Sequence, residues 1–283
     1  MTTRPGTLFV VATPIGNLND LSSRARDVLS DVDLIAAEDT RRSGQLLTHL
    51  GLRKRLISFH EHNEADRVAE ITAALQGGRD VALVSDAGTP LISDPGYRLL
   101  AQARAEQLPV VAIPGCSAVT AALSIAGLPT DRFRFEGFLP ARSGPRRQRL
   151  EQLRDGPDTL VCFESVHRIN ATLEDMAVVF GPERPMAAAR ELTKLHETLY
   201  RGTIDEVRRL IAEDSGADKG EYTLVVGGGE HRAEPPVAEL ERVVGILLTE
   251  LAPSQAAQLA SRITGVRRGE AYAIAQRLRS GLD

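Results

Sequence analysis

Val81-Ala82-Leu83-Val84-Ser85-Asp86-Ala87-Gly88-Thr89-Pro90-Leu91-Ile92-Ser93-Asp94-Pro95-Gly96 is the stretch on which the fold turns. Its first four residues form an unbroken apolar run, which suits a strand buried on both faces of a parallel sheet. The run ends in a turn: Gly88 lets backbone approach a ligand closely, and Pro90 fixes its geometry. The same arrangement stands earlier, where Leu8-Phe9-Val10 leads into Val11-Ala12-Thr13-Pro14-Ile15-Gly16-Asn17-Leu18. Open α/β sheets bind ligands outside the carboxyl ends of their strands. Two such turns predict one pocket for a small polar ligand.

Outward from these turns, the first half alternates apolar runs with helix-like stretches. Strands are predicted at 7–12, 34–37, 56–59, 81–84 and 110–113, and helices at 22–29 and 65–75. Such alternation predicts a mostly parallel sheet with helices on both faces. Pro114-Gly115-Cys116-Ser117-Ala118 makes a third turn, and an alanine-rich buried helix follows to Ala126, stopped by Gly127. The second half reads as more mixed. Strands are expected at 133–138, 159–163, 186–189, 198–202 and 222–226, with helices at 169–180 and 204–211; the closeness of 186–189 and 198–202 suggests antiparallel pairing. Gly227-Gly228-Gly229 and Pro235-Pro236 mark a break. Beyond it, Ser254 caps one helix, Thr264-Gly265-Val266 interrupts, and Arg268–Leu278 forms another, in a helix-turn-helix pattern. The expected division is an α/β domain over 1–126, a second α/β domain over 127–230 and a helical module over 236–283.

The bulk properties agree with a folded, soluble chain of more than one domain: 283 residues, 42% hydrophobic and 25% charged. No apolar run approaches the roughly 20 residues that span a bilayer. Met1-Thr2-Thr3-Arg4-Pro5-Gly6 runs straight into a strand and does not read as a signal peptide. Cys116 and Cys162 are too few for a disulfide framework and read as reduced. The expected location is cytoplasmic, without membrane association. The net charge of −4 argues mildly against nonspecific nucleic-acid binding, although a local basic patch still suffices for it.

Four motifs in order carry a resemblance: the two turns above, Ala36-Ala37-Glu38-Asp39-Thr40-Arg41, and Ala189-Arg190-Glu191-Leu192-Thr193-Lys194. Together they resemble the tetrapyrrole methylase superfamily, most closely its members that methylate ribosomal RNA. The resemblance implies two α/β domains with S-adenosylmethionine between them, and methyl transfer to a cytidine ribose 2′-hydroxyl of 16S rRNA, alone or in the small ribosomal subunit. It further implies a homodimer. It assigns cofactor contacts to Pro14, Gly16, Val84, Ser85, Asp86, Ser117 and Ala118, and from the second domain to Phe163, Arg190 and Leu224. Cys116 stands where a proline is common in the third turn, and should leave that turn intact.

A sulfonium is already a strong electrophile, so the protein's part is orientation, electrostatics and help with the acceptor's proton. Glu38, Asp39, Glu191 and Lys194 are the candidates for that help. Asp86 reads either as a cofactor ligand or as an Asx-turn. Asp39 beside Arg41 reads either as a base with a phosphate anchor or as a surface ion pair. Arg142-Ser143-Gly144-Pro145-Arg146-Arg147-Gln148-Arg149 is the densest basic stretch and reads as a mobile loop opening into a helix. Arg142, Arg146 and Arg147, with Arg41, His60 and Arg168, are the candidate RNA contacts.

Other classes fit less well. No Gly-x-Gly-x-x-Gly follows the first strand, which disfavours a dinucleotide. No Gly-x-Ser-x-Gly elbow supports a hydrolase. His60-Glu61-His62 lacks a partner cluster, so no metal is expected. The remaining rivals are methylation of a tetrapyrrole carbon and a non-catalytic RNA-binding protein.

Overall fold

The computed structural model describes residues 4–229 and 236–280. Its first half is a five-stranded, wholly parallel sheet of β1 (Leu8–Val11), β2 (Leu34–Ala37), β3 (Leu56–Ser58), β4 (Val81–Val84) and β5 (Val110–Ile113), in the order β3-β2-β4-β1-β5. β2 and β4 are buried at every residue, as their unbroken apolar runs require. Helices α1 (Ser23–Asp31) and α2 (Thr40–His49) cover one face, where Ala25, Leu29 and Leu47 meet Ile35, Ala37, Ala82 and Val84. Helices α3 (Glu64–Gln76) and α4 (Tyr97–Ala105) cover the other, where Ile71, Leu75 and Leu99 meet Leu8, Leu34, Val81 and Leu83. The expected parallel sheet and its two helical layers are present. Ser22 caps α1, its hydroxyl accepting from the Ala25 amide.

Helix α5 (Ala118–Ala126) ends on Gly127, which takes left-handed φ of 72°. One face of α5 is buried, and it lies on the second sheet, where Val119, Ala122 and Leu123 pack on Val161, Ala187, Ala189 and Val225. Small residues on both sides let the helix sit flat on the strands.

The second sheet contains β6 (Phe133–Phe138), β7 (Thr159–Ser165), β8 (Pro185–Arg190), β9 (Thr198–Thr203) and β10 (Glu221–Val226), in the order β6-β7-β10-β8-β9. Only β6 and β7 run parallel; the other pairs, β8 with β9 among them, are antiparallel. Helices α6 (Ser143–Leu153), α7 (Ile169–Phe180) and α8 (Ile204–Glu213) close its far face around Leu150, Leu173, Ile204 and Tyr222.

The two sheets and their helices form one compact unit, up to Arg154 and over Asp158–Gly228. A second unit, Asp155–Pro157 with the chain from Gly229 onward, holds α9 (Pro236–Leu248), α10 (Pro253–Thr264) and α11 (Arg268–Ser280). They share a core of Leu240, Val244, Ala257, Ala260, Ala271 and Ala275. Gly265 ends α10 as expected, with φ of 73°. The start of α10 is not capped by Ser254: Ala252 is the cap residue, and Pro253 opens the helix, where its missing amide costs nothing. Among the described residues, no helix is long and apolar enough to cross a membrane.

Candidate active site

The motif turns meet at the carboxyl ends of the first sheet. Thr13 and Gly88 exchange backbone hydrogen bonds of 2.8 and 3.0 Å, which joins the first turn to the second. The Thr89 hydroxyl donates to the Cys116 carbonyl at 2.9 Å, which joins the second to the third. The Asp39 amide donates to Asp86 at 2.9 Å, which brings in the end of β2. The third turn therefore keeps its place with cysteine at 116.

These turns form one wall of a cavity of about 370 Å³, and the second sheet forms the other. The volume suits a cofactor-sized ligand. Ile15, Glu38, Arg42, Asp86, Gly88, Asp94, Ser117 and Ala118 line it from the first side. Phe138, Phe163, Glu191, Leu192, Lys194 and Thr223 line it from the second. One pole is acidic. Glu38 has its pKa raised, chiefly by burial. Asp94 is pushed up to about 6 by burial and by the neighbouring Glu38 and Asp86 carboxylates, against a hydrogen bond from Ser85. Phe163 stands edge-on to Phe135 and Phe138, with ring centroids 5.0 and 5.6 Å apart, and gives the far wall an aromatic surface. Backbone strain gathers here. Of the five non-glycine residues with positive φ among the described residues, Leu91, Ser93, Glu191 and Thr193 lie in loops at the cavity.

Of the expected catalytic residues, Glu38, Glu191 and Lys194 line the cavity. Lys194 bridges Glu191 at 2.7 Å and Glu221 at 3.1 Å. Burial alone would lower its pKa, but these hydrogen bonds outweigh burial and raise it. Asp39 does not line the cavity. Its carboxylate caps α2 through the Arg41 amide and pairs with the Arg41 side chain at 2.7 Å. Those bonds hold it well below the ordinary carboxylate range, so it is a poor base. Asp39 and Arg41 thus form an ion pair at the surface.

Among the expected cofactor residues, Asp86, Ser117, Ala118 and Phe163 line the cavity. Asp86 also accepts the Asp39 amide and pairs with Arg42 at 3.3 Å, so it ties two strand ends together. Pro14, Val84 and Ser85 are buried and do not line it. Gly16 is needed for another reason: a Cβ there would stand 2.8 Å from the Thr193 hydroxyl and closer still to the Lys194 side chain. Leu224 points into the core on the far side of the second sheet. Arg190 does not line the cavity either. Its buried guanidinium donates to the carbonyls of Gly216 and Lys219 and pairs with Asp214 at 3.6 Å.

The basic stretch differs from a mobile loop. Gly144 and Pro145 lie in the first turn of α6, and Arg146 is only 2% exposed. Arg146 and Arg147 both pair with the buried Asp175, at 2.6 and 2.5 Å, and Arg149 pairs with Glu136 at 2.7 Å. Arg146 is therefore a structural residue, and it offers nothing to RNA. Arg168 pairs with the fully buried Glu164 at 3.1 Å and donates to the Leu139 carbonyl. His60 lies outside the cavity lining, and its buried Nδ1 has no hydrogen-bond partner among the described residues. Arg41 and Arg142 are exposed. Among the described residues, no group of three or more His, Cys, Asp or Glu side chains is placed to hold a metal.

The family model for Tetrapyrrole (Corrin/Porphyrin) Methylases matches residues 7–208. This chain belongs to the tetrapyrrole methylase family. The model for the RsmI C-terminal HTH domain matches residues 234–279 of the methylase. A Pseudomonas aeruginosa protein named Ribosomal RNA small subunit methyltransferase I is 51% identical over 269 residues, 94% of this chain and 95% of that one. A protein of the same name from Escherichia coli O157:H7 is 47% identical, over 94% of this chain and 93% of that one. Among solved structures, diphthine synthase superposes with a TM-score of 0.60 at 16% identity, covering 79% of this methylase and 90% of that chain. Uroporphyrin-III-C-methyltransferase from Thermus thermophilus gives 0.54 at 22% identity, covering 78% and 94%. These two likenesses bear on the fold alone.

Proposed function

We propose that this methylase transfers the methyl group of S-adenosylmethionine to the ribose 2′-hydroxyl of a cytidine in 16S rRNA. The observation that carries the reading is near-full-length identity to proteins named for methylation of small-subunit ribosomal RNA, 51% over 94% of the chain. The acceptor atom and nucleotide rest on the motif resemblance.

The cavity fits such a methyl donor in its chemistry. A sulfonium and an ammonium are both cationic, and the pole formed by Glu38, Asp86 and Asp94 is acidic. An adenine ring suits the aromatic and aliphatic wall of Ile15, Phe138, Phe163 and Leu192. These residues, with Ser117 and Ala118, would hold the donor, which supplies an electrophilic methyl when bound. Lys194 and Glu191 stand on the opposite wall, where they would orient the acceptor. Of the expected RNA contacts, Arg41, Arg142 and the half-exposed Arg147 are open to RNA phosphates. Cytoplasmic action and a homodimer belong to the same reading and rest on the resemblance.

The experiment offers labelled S-adenosylmethionine with either undermethylated small ribosomal subunits or a tetrapyrrole precursor. Label in RNA is the expected result. Label in the tetrapyrrole alone would overturn the reading.

A further inference from the structure

The loop from Leu91 to Gly96 is built to hold one carboxylate in place. Leu91 and Ser93 take left-handed backbone, with φ of 73° and 67°, which L residues adopt only under constraint. At Gly96, φ is 133° and a Cβ would stand 3.0 Å from the Leu83 side chain. The buried Glu64 carboxylate accepts from the amides of Gly96 and Arg98, at 3.2 and 3.3 Å, and anchors the loop's exit. From the second sheet, Gly137 closes on the loop: a Cβ there would meet the Ser93 hydroxyl at 3.0 Å. Strain fixed from several sides at a cavity marks a position held for function.

What the loop presents is Asp94. It lines the cavity, and the nearby Ser85 hydroxyl favours its charged form. Among the described residues no cation pairs with it. The other acids nearby are engaged. Asp86 holds the Asp39 amide and Arg42, Glu191 holds Lys194, and Glu164 holds Thr172 and Arg168. Glu38 accepts the Asp86 amide.

We propose that Asp94 takes the proton of the acceptor hydroxyl during methyl transfer, a role that rests on the cavity being the methyl-transfer site. As the hydroxyl oxygen bonds to the methyl carbon, the carbon–sulfur bond breaks and its electron pair stays on sulfur. The hydroxyl proton passes to an Asp94 carboxylate oxygen and from there to solvent. Burial, Glu38 and Asp86 make this carboxylate more basic than an ordinary aspartate, with a pKa of about 6, close to where a base works best at neutral pH. Arg42 stands on the same wall, and Glu164, Glu191, Lys194 and Glu221 face it from the second sheet.

The test compares wild type with D94N and S85A in the full chain. It reads single-turnover methylation of small subunits against pH, donor binding by calorimetry, and titration of the Asp94 carboxyl carbon by NMR. In wild type, the carboxyl signal and the acidic limb of the rate should both titrate near pH 6. D94N should still bind the donor, because Glu38 and Asp86 keep the pole acidic, but it should lose the acidic limb and, at saturating donor, slow transfer about 10²–10⁴-fold. S85A removes a hydroxyl that favours the carboxylate, so its limb should move to higher pH. D94N keeping the wild-type rate and limb would overturn the proposal, as would an unmoved limb in S85A. Wild type that binds the donor yet methylates no RNA would overturn the functional reading, and this role with it.

Discussion

The Thr193 hydroxyl accepts a hydrogen bond from the Asn17 backbone amide at 3.1 Å, across 176 positions of sequence. It joins the first motif turn of one sheet to the last motif turn of the other. Gly16 lies directly under that contact, and Lys194 beside it reaches into the cavity. The two halves of the site are therefore set by one another.

Gly16→Ala puts a methyl group where Thr193 and Lys194 already stand. The expected cost is about 1–3 kcal/mol of stability, the usual penalty for overpacking. Donor affinity should fall as well, because the Glu191–Lys194 turn must shift. Urea denaturation and calorimetry on the same preparation read both effects.

Arg146→Ala takes from Asp175 its one buried guanidinium and leaves it Arg147 and Ser143; together the three hold its pKa below the usual range in spite of its burial. The expected loss is about 2–3 kcal/mol, below the roughly 3–5 kcal/mol of a buried charge left with no partner, because Arg147 and Ser143 remain. Arg142→Ala, at an exposed position, should stay within about 0.5 kcal/mol of wild type. Equal melting temperatures for the two variants would contradict the placement of Arg146.

Phe163→Ala removes the ring that packs edge-on against Phe135 and Phe138 at the cavity wall. Donor affinity should weaken about tenfold or more, a difference of roughly 1.4 kcal/mol. Leu224→Val, on the far side of the same sheet, should leave affinity near wild type. Calorimetric titration separates them.

Asp94 also bears on stability. Its pKa is raised in the fold to about 6, so the folded state binds more protons than the unfolded state between about pH 4 and 6. Stability is therefore lost as pH rises through that window, and the full cost stands above it. D94N should melt higher than wild type at pH 8, by on the order of 1 kcal/mol, with the difference vanishing toward pH 4. A gain independent of pH would contradict this.

The strands were the most legible part of the chain, because the runs at 34–37, 81–84 and 110–113 are short, apolar and closed by turn residues. The ligand-facing turns were legible for the same reason. Charge was misleading where its partner is distant. Arg146 looks like a solvated cation in sequence, and only the fold brings Asp175 to it from 29 positions away. Arg190 likewise finds Gly216 and Asp214 only through the fold. Asp94 lay in plain view in the second motif. Its character depends on Glu38, Glu64 and Gly137, which no local pattern connects to it.

The identity of the atom that receives the methyl group is the most direct test of ribose methylation. Small subunits labelled by this methylase would be digested to nucleosides and the product identified by mass. The account predicts a single 2′-O-methylcytidine from 16S rRNA. Label on a base, or on a nucleoside other than cytidine, would contradict it.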